Sequence, residues 1–598
     1  VPAPVDAAVE LAGQRVKLEG SWVDGRLVAH KLKFRNPRRN AERGQVDAVI
    51  DNVDPVQRLV TLGPFSAHWN ADTVFIDGSA ADLENGVRVE IDVEVNGGDV
   101  LEARTIEFKD GDDPPGHIEV LGAIGSVAIL GDGANLVRVL GIPCELPGKL
   151  TSSLVLLTRR QDDRRPEDQL SMRLFGRELT IGGEIELNSR HREDFELDPR
   201  EDDDRARVDN AFQLEFLYLW NHETAVFLEF KGAAEVEIYR QGGGEDSEML
   251  LERGEMWLFM GALAGSRFSL QVGRQNFQDG REWWWDEDLD ALRVYYATRT
   301  WRVWLGIGEQ FAREALSANF DARLDPAEED VLNVLAHLEW QWSSDHAFEL
   351  FFLHQYDHSP TERVGDVVRE DRTDTADGEL TWLGARTVGD LALGGDYSLD
   401  YWTDFAAFTS RERRLVFDAV NDRDARVVER VAASDDGWAA DIGATLTTPW
   451  PWRPALTLAY ARGSRNFRQT GLNNNNDRYT GVNRFRYYGE LARPELANLA
   501  ILSAAIGLPF WYNSSVELVF HDYRQVARSR DVRDFAINAD LTGRDTHLGQ
   551  AIDIAVGIEE NSHVEIEFIA GLFVAGAAYG PLEGRTALNL QLKFNYNF

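Results

Sequence analysis

Residues 587–598 (ALNLQLKFNYNF) alternate without a break: Leu588, Leu590, Leu592, Phe594, Tyr596 and Phe598 fall on one parity. Asn589, Gln591, Lys593, Asn595 and Asn597 fall on the other. A period of two places one set on each face of a strand, whereas a helix would mix them, since i+3 and i+4 neighbours here differ in polarity. The run is about twice the usual globular strand of roughly 5–6 residues. A long strand that is greasy on one face and amide-rich on the other suits lipid outside and water inside; an edge strand of a soluble sandwich is the competing reading.

The pattern recurs upstream. Ile552, Ile554, Val556 and Ile558 alternate with Asp553, Ala555 and Gly557, and Val564, Ile566 and Phe568 alternate with Glu565 and Glu567. Leu332, Val334, Leu338 and Trp340 alternate with Asn333, His337 and Glu339, and Phe212, Leu214 and Phe216 flank Gln213 and Glu215. Short connections (220–224, 343–346) trade with long polar ones (192–207, 241–248, 359–375, 411–436, 469–483). Short turns at one end and long loops at the other are what an outer-membrane barrel requires. With ~9–11 membrane-embedded residues per strand, residues from about Leu170 to Phe598 accommodate about 18 antiparallel strands. Aromatic residues near strand ends, such as Trp301, Trp340, Trp402 and Trp450, fit interface girdles.

Residues 1–165 differ. Residues 15–35 (RVKLEGSWVDGRLVAHKLKFR) match 88–109 (RVEIDVEVNGGDVLEARTIEFK), each a strand, a Gly-containing turn and a second strand. A partial third copy begins at Gly116. This stretch resembles the small repeated OB-like β-barrel modules of bacterial envelope proteins. The expected fold is therefore all-β: a soluble N-terminal β domain over 1–165, in the periplasm or plugging the lumen, then a transmembrane barrel over 166–598.

Composition sharpens this picture. The 598 residues carry 62 Lys+Arg against 101 Asp+Glu, a formal net charge of −39. That excess excludes a general nucleic-acid binder, because nothing offsets phosphate repulsion. The mean hydropathy of −0.34 reads at first as soluble, yet a strand with one lipid face and one water face averages to the same value. No run approaches 18 apolar residues, so no transmembrane helix is encoded. A single cysteine, Cys144, excludes an intramolecular disulfide and any multi-cysteine metal site.

The stretch 268–296 (FSLQVGRQNFQDGREWWWDEDLDALRVYY) contains Gly273-Arg274-Gln275, Asp279-Gly280-Arg281, Trp283–Trp285 and Asp290. A second, 484–499 (RFRYYGELARPELANL), contains Tyr488-Gly489-Glu490, Pro494, Glu495 and Asn498. Together they resemble the alginate export porin family from about Leu170 to Phe598. The terminal Phe598 likewise resembles the assembly signal that closes outer-membrane barrels. The resemblance implies an eighteen-stranded barrel in the bacterial outer membrane, any signal peptide having been removed ahead of Val1. It also implies an anionic polysaccharide passing an arginine-lined lumen.

If the apolar faces meet lipid, inward candidates for the pore are Arg267, Arg274, Arg293, Arg302 and Lys593, with Glu339, Asp396, Asp441, Glu565 and Glu567. That set is mixed in sign. Replacing Arg274 and Arg293 should alter anion preference if they line the constriction. The acids around 191–204 lack EF-hand spacing and read as a solvated loop. His354 and His358 share a strand face without further ligands. No metal, cofactor or catalytic constellation is expected. The leading reading is a channel for a polar solute or polysaccharide, embedded in outer-membrane lipid, with a periplasmic or secreted partner possible through residues 1–165. The alternative is a barrel scaffold that encloses or docks a partner, such as an electron-carrying cytochrome or a secreted fibre subunit.

Overall fold

The computed structural model describes residues 15–23, 26–35, 43–70, 73–76, 78–94, 101–109, 117–129, 135–140, 142–146, 169–198, 204–221, 223–240, 247–298, 300–311, 330–343, 346–359, 362–369, 373–374, 376–394, 397–421, 423–511, 513–561 and 563–598. Its main strands form two sheets with no strand in common, one before residue 147 and one after residue 169.

The first sheet contains two small closed arrangements. In one, Arg43–Val49 pairs with Arg88–Glu94, which pairs with Leu101–Phe108. Leu101–Phe108 then runs parallel to Phe65–His68, and the circuit returns through Leu59–Leu62 to Asn52–Asp54. The other joins His117–Ile129, Asn135–Val139 and Ile142–Leu146 to Arg26–Arg35 and Arg15–Val23, which pairs back onto His117–Ile129. The repeated stretches 15–35 and 88–109 are thus the closing hairpins of two copies. Residues after Gly116 are the opening strands of the copy whose hairpin comes first in the chain, so they do not begin a third. Leu18, Leu27, Val46, Ile91, Ile106, Val120 and Cys144 lie in one apolar cluster.

The second sheet closes into a barrel of 18 antiparallel strands. They are β1 (Arg177–Glu193), β2 (Arg205–Asn221), β3 (Thr224–Arg240), β4 (Ser247–Met260), β5 (Phe268–Gln278) and β6 (Asp286–Ala297). Next come β7 (Trp301–Glu309), β8 (Val331–Ser343), β9 (His346–Asp357), β10 (Ala376–Gly394), β11 (Tyr397–Ala419) and β12 (Asp436–Thr447). The last are β13 (Ala455–Gly463), β14 (Leu499–Phe510), β15 (Ser514–Gln525), β16 (His547–Asn561), β17 (Val564–Ala575) and β18 (Thr586–Asn597). Closure runs from Glu184 opposite Asn597 to Glu193 opposite Leu588. It leaves no edge, so backbone groups in lipid are satisfied by the ladder. Phe598 completes it, its N–H donating to the Gly183 carbonyl at 3.0 Å and its carbonyl accepting from Gly183 at 2.9 Å. Its ring stacks on Phe212.

The protein is inside-out relative to a soluble domain. Leu592 is 51 % exposed and Leu458 63 %, while Asn589 is 1 % and Asp553 and Glu517 are 0 %. The greasy parity faces outward to lipid and the polar parity faces the lumen, as the alternation requires. Strands resume after two to seven residues at the end holding Asn221/Thr224 and Ser343/His346, which marks the periplasmic side. At the opposite end β11 runs on beside an added hairpin strand, Asp424–Ala433, which also pairs with Val367–Arg369. The long polar stretch 411–436 is therefore largely β-structure.

Candidate functional site

Two outer-end connections turn back into the barrel. One is 279–285, between β5 and β6; the other is 464–498, between β13 and β14. Both are rich in aromatic and apolar side chains that water would leave unfavourably exposed. Trp283, Trp284, Trp285, Tyr479, Phe485, Tyr487, Tyr488 and Leu496 are buried and share one apolar cluster with inward residues of the wall. Trp284 stacks face to face on Phe351 of β9 at 4.8 Å. Phe277, Trp304 and His337 extend that aromatic packing.

At the centre lies a charge network. Arg281 donates to Asp404 of β11 (2.6 Å), Asp441 of β12 (3.1 Å) and Asp477 of the second inserted segment (3.2 Å). Its guanidinium lies over the rings of Trp402 and Tyr487, 4.7 and 4.6 Å from their centroids. Arg386 of β10 binds Asp404 at 2.5 Å and Asp279 at 2.6 Å. Asp279 in turn accepts backbone N–H groups of Arg281, Trp284 and Trp285, which fixes the tight turn. Burying such ions costs several kcal/mol each, so they persist only when opposite charges and hydrogen bonds surround them. Here they do, and the result ties both inserted segments to the wall.

A second cluster is of one sign. On β1, inward Arg190 lies directly opposite Arg207 of β2, and Arg192 lies opposite Arg205. Like charges facing across a ladder are destabilising. Arg493 and Arg486 of the inserted segment add to the group, Arg493 lying in electrostatic range of Arg190, Arg192 and Arg486. Arg207 pairs with Asp209 and Glu235, and Arg493 with Glu490 at 2.6 Å. Among the described residues, Arg190, Arg192 and Arg486 form no ion pair.

Between the outer connections, Glu495 is half-buried beside Asp534. Burial, and then the Asp534 carboxyl, push its pKa up to about 7.

Comparison with known proteins bears on this arrangement. The family model described as Alginate export matches residues 177–592. The chain belongs to the alginate export family. A further model, described as a domain of unknown function, matches residues 43–107. The alginate production protein AlgE of Pseudomonas aeruginosa is 28 % identical over 388 residues, covering 60 % of this chain and 77 % of that protein. AlgE of Pseudomonas syringae is 25 % identical over 303 residues, 48 % of this chain and 60 % of that protein. Among solved structures, OccAB1 of Acinetobacter baumannii aligns with 70 % of this chain and 96 % of that one, at 10 % identity and a TM-score of 0.45. As a member of the alginate export family, the protein is a channel of the bacterial outer membrane.

The alginate-export motifs sit where the network is built. Gly273 has φ 122°, and a Cβ there would strike the Met256 carbonyl oxygen. Arg274 follows it, buried. The Gln275 amide donates to the Ala291 carbonyl at 2.9 Å, bracing β5 against β6. Asp290 takes a two-point ion pair from Arg253 of β4. Pro494 is buried in the second segment. Asn498 both donates to the Ala527 carbonyl and accepts its N–H, tying the segment's end to the next outer connection. These residues position elements.

The proposed pore residues separate into groups. Asp441 belongs to the central network. Arg293 donates to the Asn276 carbonyl at 2.7 Å and lies 3.6 Å from the Phe277 ring centroid, a packed structural position. Arg302 and Glu339 are cross-strand partners that neutralise each other at 3.0 Å. Lys593 pairs with Glu186 at 2.7 Å, and with Glu565 and Glu567 it borders a small polar cavity at the periplasmic end. Arg267 is exposed just before β5, at a strand end and off the lumenal wall. Asp396 lies outside the described residues. Sequence reasoning passed over Arg190, Arg192, Arg207, Arg386, Asp404 and Glu517. The signal for the first two was available, because Arg190 and Arg192 share the parity of Glu184, Glu186 and Asn188, opposite Ile185 and Leu187.

Proposed function

We propose that this channel passes an acidic polysaccharide, a polyuronate such as alginate, and that the arginine cluster at the outer half of β1 and β2 is its recognition element. The observation that carries this reading is the pairing of Arg190 with Arg207 and of Arg192 with Arg205 across one ladder. Arg207 already has Asp209 and Glu235, whereas among the described residues Arg190 and Arg192 face those arginines without an ion pair of their own. A carboxylate-bearing chain would supply it while replacing hydration the sugar loses. The net charge of −39 is compatible with this, since a local basic ring decides what a pore passes. Transport of this kind needs no covalent step, and we read the chain as having no catalytic role. A barrel that encloses a partner protein is disfavoured, because its own segments 279–285 and 464–498 occupy lumenal space. Residues 1–165 are read as periplasmic modules of OB-like strand order, a separate domain from 166–598.

The test is planar-bilayer recording of the purified chain with polyuronate fragments added. Anion-selective current blocked by polyuronate, and insensitive to a neutral glycan of equal length, is expected. Cation-selective current with no polyuronate block would refute the assignment.

A further inference from the structure

The segment 464–498 forms a hairpin hanging in the lumen, paired through Asn476–Arg486 and Asp477–Phe485. Its tip makes its densest contact with the wall on β15. The backbone N–H groups of Thr480 and Gly481 and the Thr480 hydroxyl all donate to one carboxylate oxygen of Glu517 on β15, at 2.9, 2.9 and 2.8 Å. Val482 N–H donates to the Ser515 hydroxyl at 2.8 Å. The wall is shaped to receive the tip: Gly507, opposite Glu517 on β14, abuts the Thr480 side chain, and Gly557, opposite Ser515 on β16, abuts Asn483. A Cβ at either glycine would overlap the tip. Glu517 itself is fully buried on the lumenal parity.

We infer that Glu517 is the positioning residue that holds this hairpin in the transport path, and that conduction requires the tip to leave it. A carboxylate accepting three hydrogen bonds from one tip binds far more tightly than neutral acceptors would. The tip's other contacts are single ones, Val482 on Ser515 and the Tyr479 carbonyl accepting from the Thr445 hydroxyl at 3.4 Å, with two glycines that supply room. Releasing this one side chain therefore removes the tip's strongest tether while β15 keeps its ladder. The inference rests on the channel reading above, and its experiment separates the two.

Bilayer recordings would use Glu517→Gln, Glu517→Asp and the pair Gly481→Cys/Ser515→Cys in a Cys144→Ser background, so that no other thiol competes. Heat-modifiable migration on gels verifies that each barrel is folded. Glu517→Gln should raise open probability at least several-fold, with Glu517→Asp returning toward the parent. The cysteine pair should be silent when oxidised and should conduct when reduced. An oxidised, cross-linked protein that conducts like its reduced form overturns the role of Glu517 and leaves the channel reading standing. If no form conducts, including one with residues 478–484 replaced by a short Gly-Ser turn, the channel reading itself falls and the inference with it.

Discussion

Trp283 and Tyr488 stand 205 positions apart, and the indole N–H of the first donates to the hydroxyl of the second at 2.8 Å. That hydroxyl donates onward to Asp441 at 2.8 Å, the carboxylate that also receives Arg281. One bond thus joins the two stretches that carry the family resemblance, and it does so inside the lumen. The strand wall is a scaffold for this meeting.

Arg281→Ala should loosen both inserted segments together. It leaves Asp404 and Asp441 buried with reduced compensation, a change worth about 3–5 kcal/mol. The expected results are a lower urea midpoint in detergent and noisier, larger currents. Arg281→Lys should recover only part of this, since an ammonium cannot bond three carboxylates from a planar fork. Wild-type current noise in the alanine variant would argue that the network does not restrain the segments.

The Glu495 carboxyl gives a pH dependence of definite sign. Its pKa is raised from 4.5 to about 7 where the outer connections dock, by burial first and Asp534 second. The docked state therefore holds the proton more tightly than the undocked state. Docking is favoured most below about pH 4.5 and weakens as pH rises toward 7, beyond which the penalty is constant. Open probability should climb across that window. Glu495→Gln should flatten the climb; a variant with an unchanged slope would remove Glu495 from the explanation.

Charge reversal separates recognition from structure among the arginines. Arg190→Glu with Arg192→Glu should shift the reversal potential toward cations and abolish polyuronate block. Arg293→Ala should leave selectivity alone and cost about 1–3 kcal/mol, because it removes a donor from the half-buried Asn276 carbonyl. If Arg293→Ala moved the reversal potential as far as the double variant, the recognition element would lie on β6.

Phe598→Ala keeps the backbone pair with Gly183 and removes the ring that stacks on Phe212 and Tyr596. The expected outcome is slower accumulation of heat-modifiable protein in the outer membrane. Once folded, the variant should conduct as the parent does. Assembly at the parental rate would show that the ring is dispensable as a signal.

The barrel was legible because its physics is local. Lipid on one side and water on the other impose a period of two, and that period is written into stretches such as 587–598 and 552–558 one residue at a time. The polar positions Asn589, Gln591 and Asn595 needed only parity to be placed in the lumen. Parity could not say which lumenal charge is answered by which. Arg302 and Arg190 look alike along their strands, yet one has Glu339 across the ladder and the other has Arg207. The polar stretch 469–483 reads as an outer loop, because Asn473–Asn476 outweigh the aromatic residues that follow when a sequence is scanned for hydrophilicity.

The amino-acid order by itself determined the closed antiparallel wall, its lipid-facing surface, the family and the repeated hairpins at the start of the chain, since each depends on spacing between near neighbours. Strand register and the return of 279–285 and 464–498 into the lumen decided the rest. Those features bring Arg281 to Asp404, Trp283 to Tyr488 and Thr480 to Glu517, contacts between residues far apart in sequence. Such contacts form because buried charges and aromatic rings must find partners in three dimensions, and no local pattern records which partner is found.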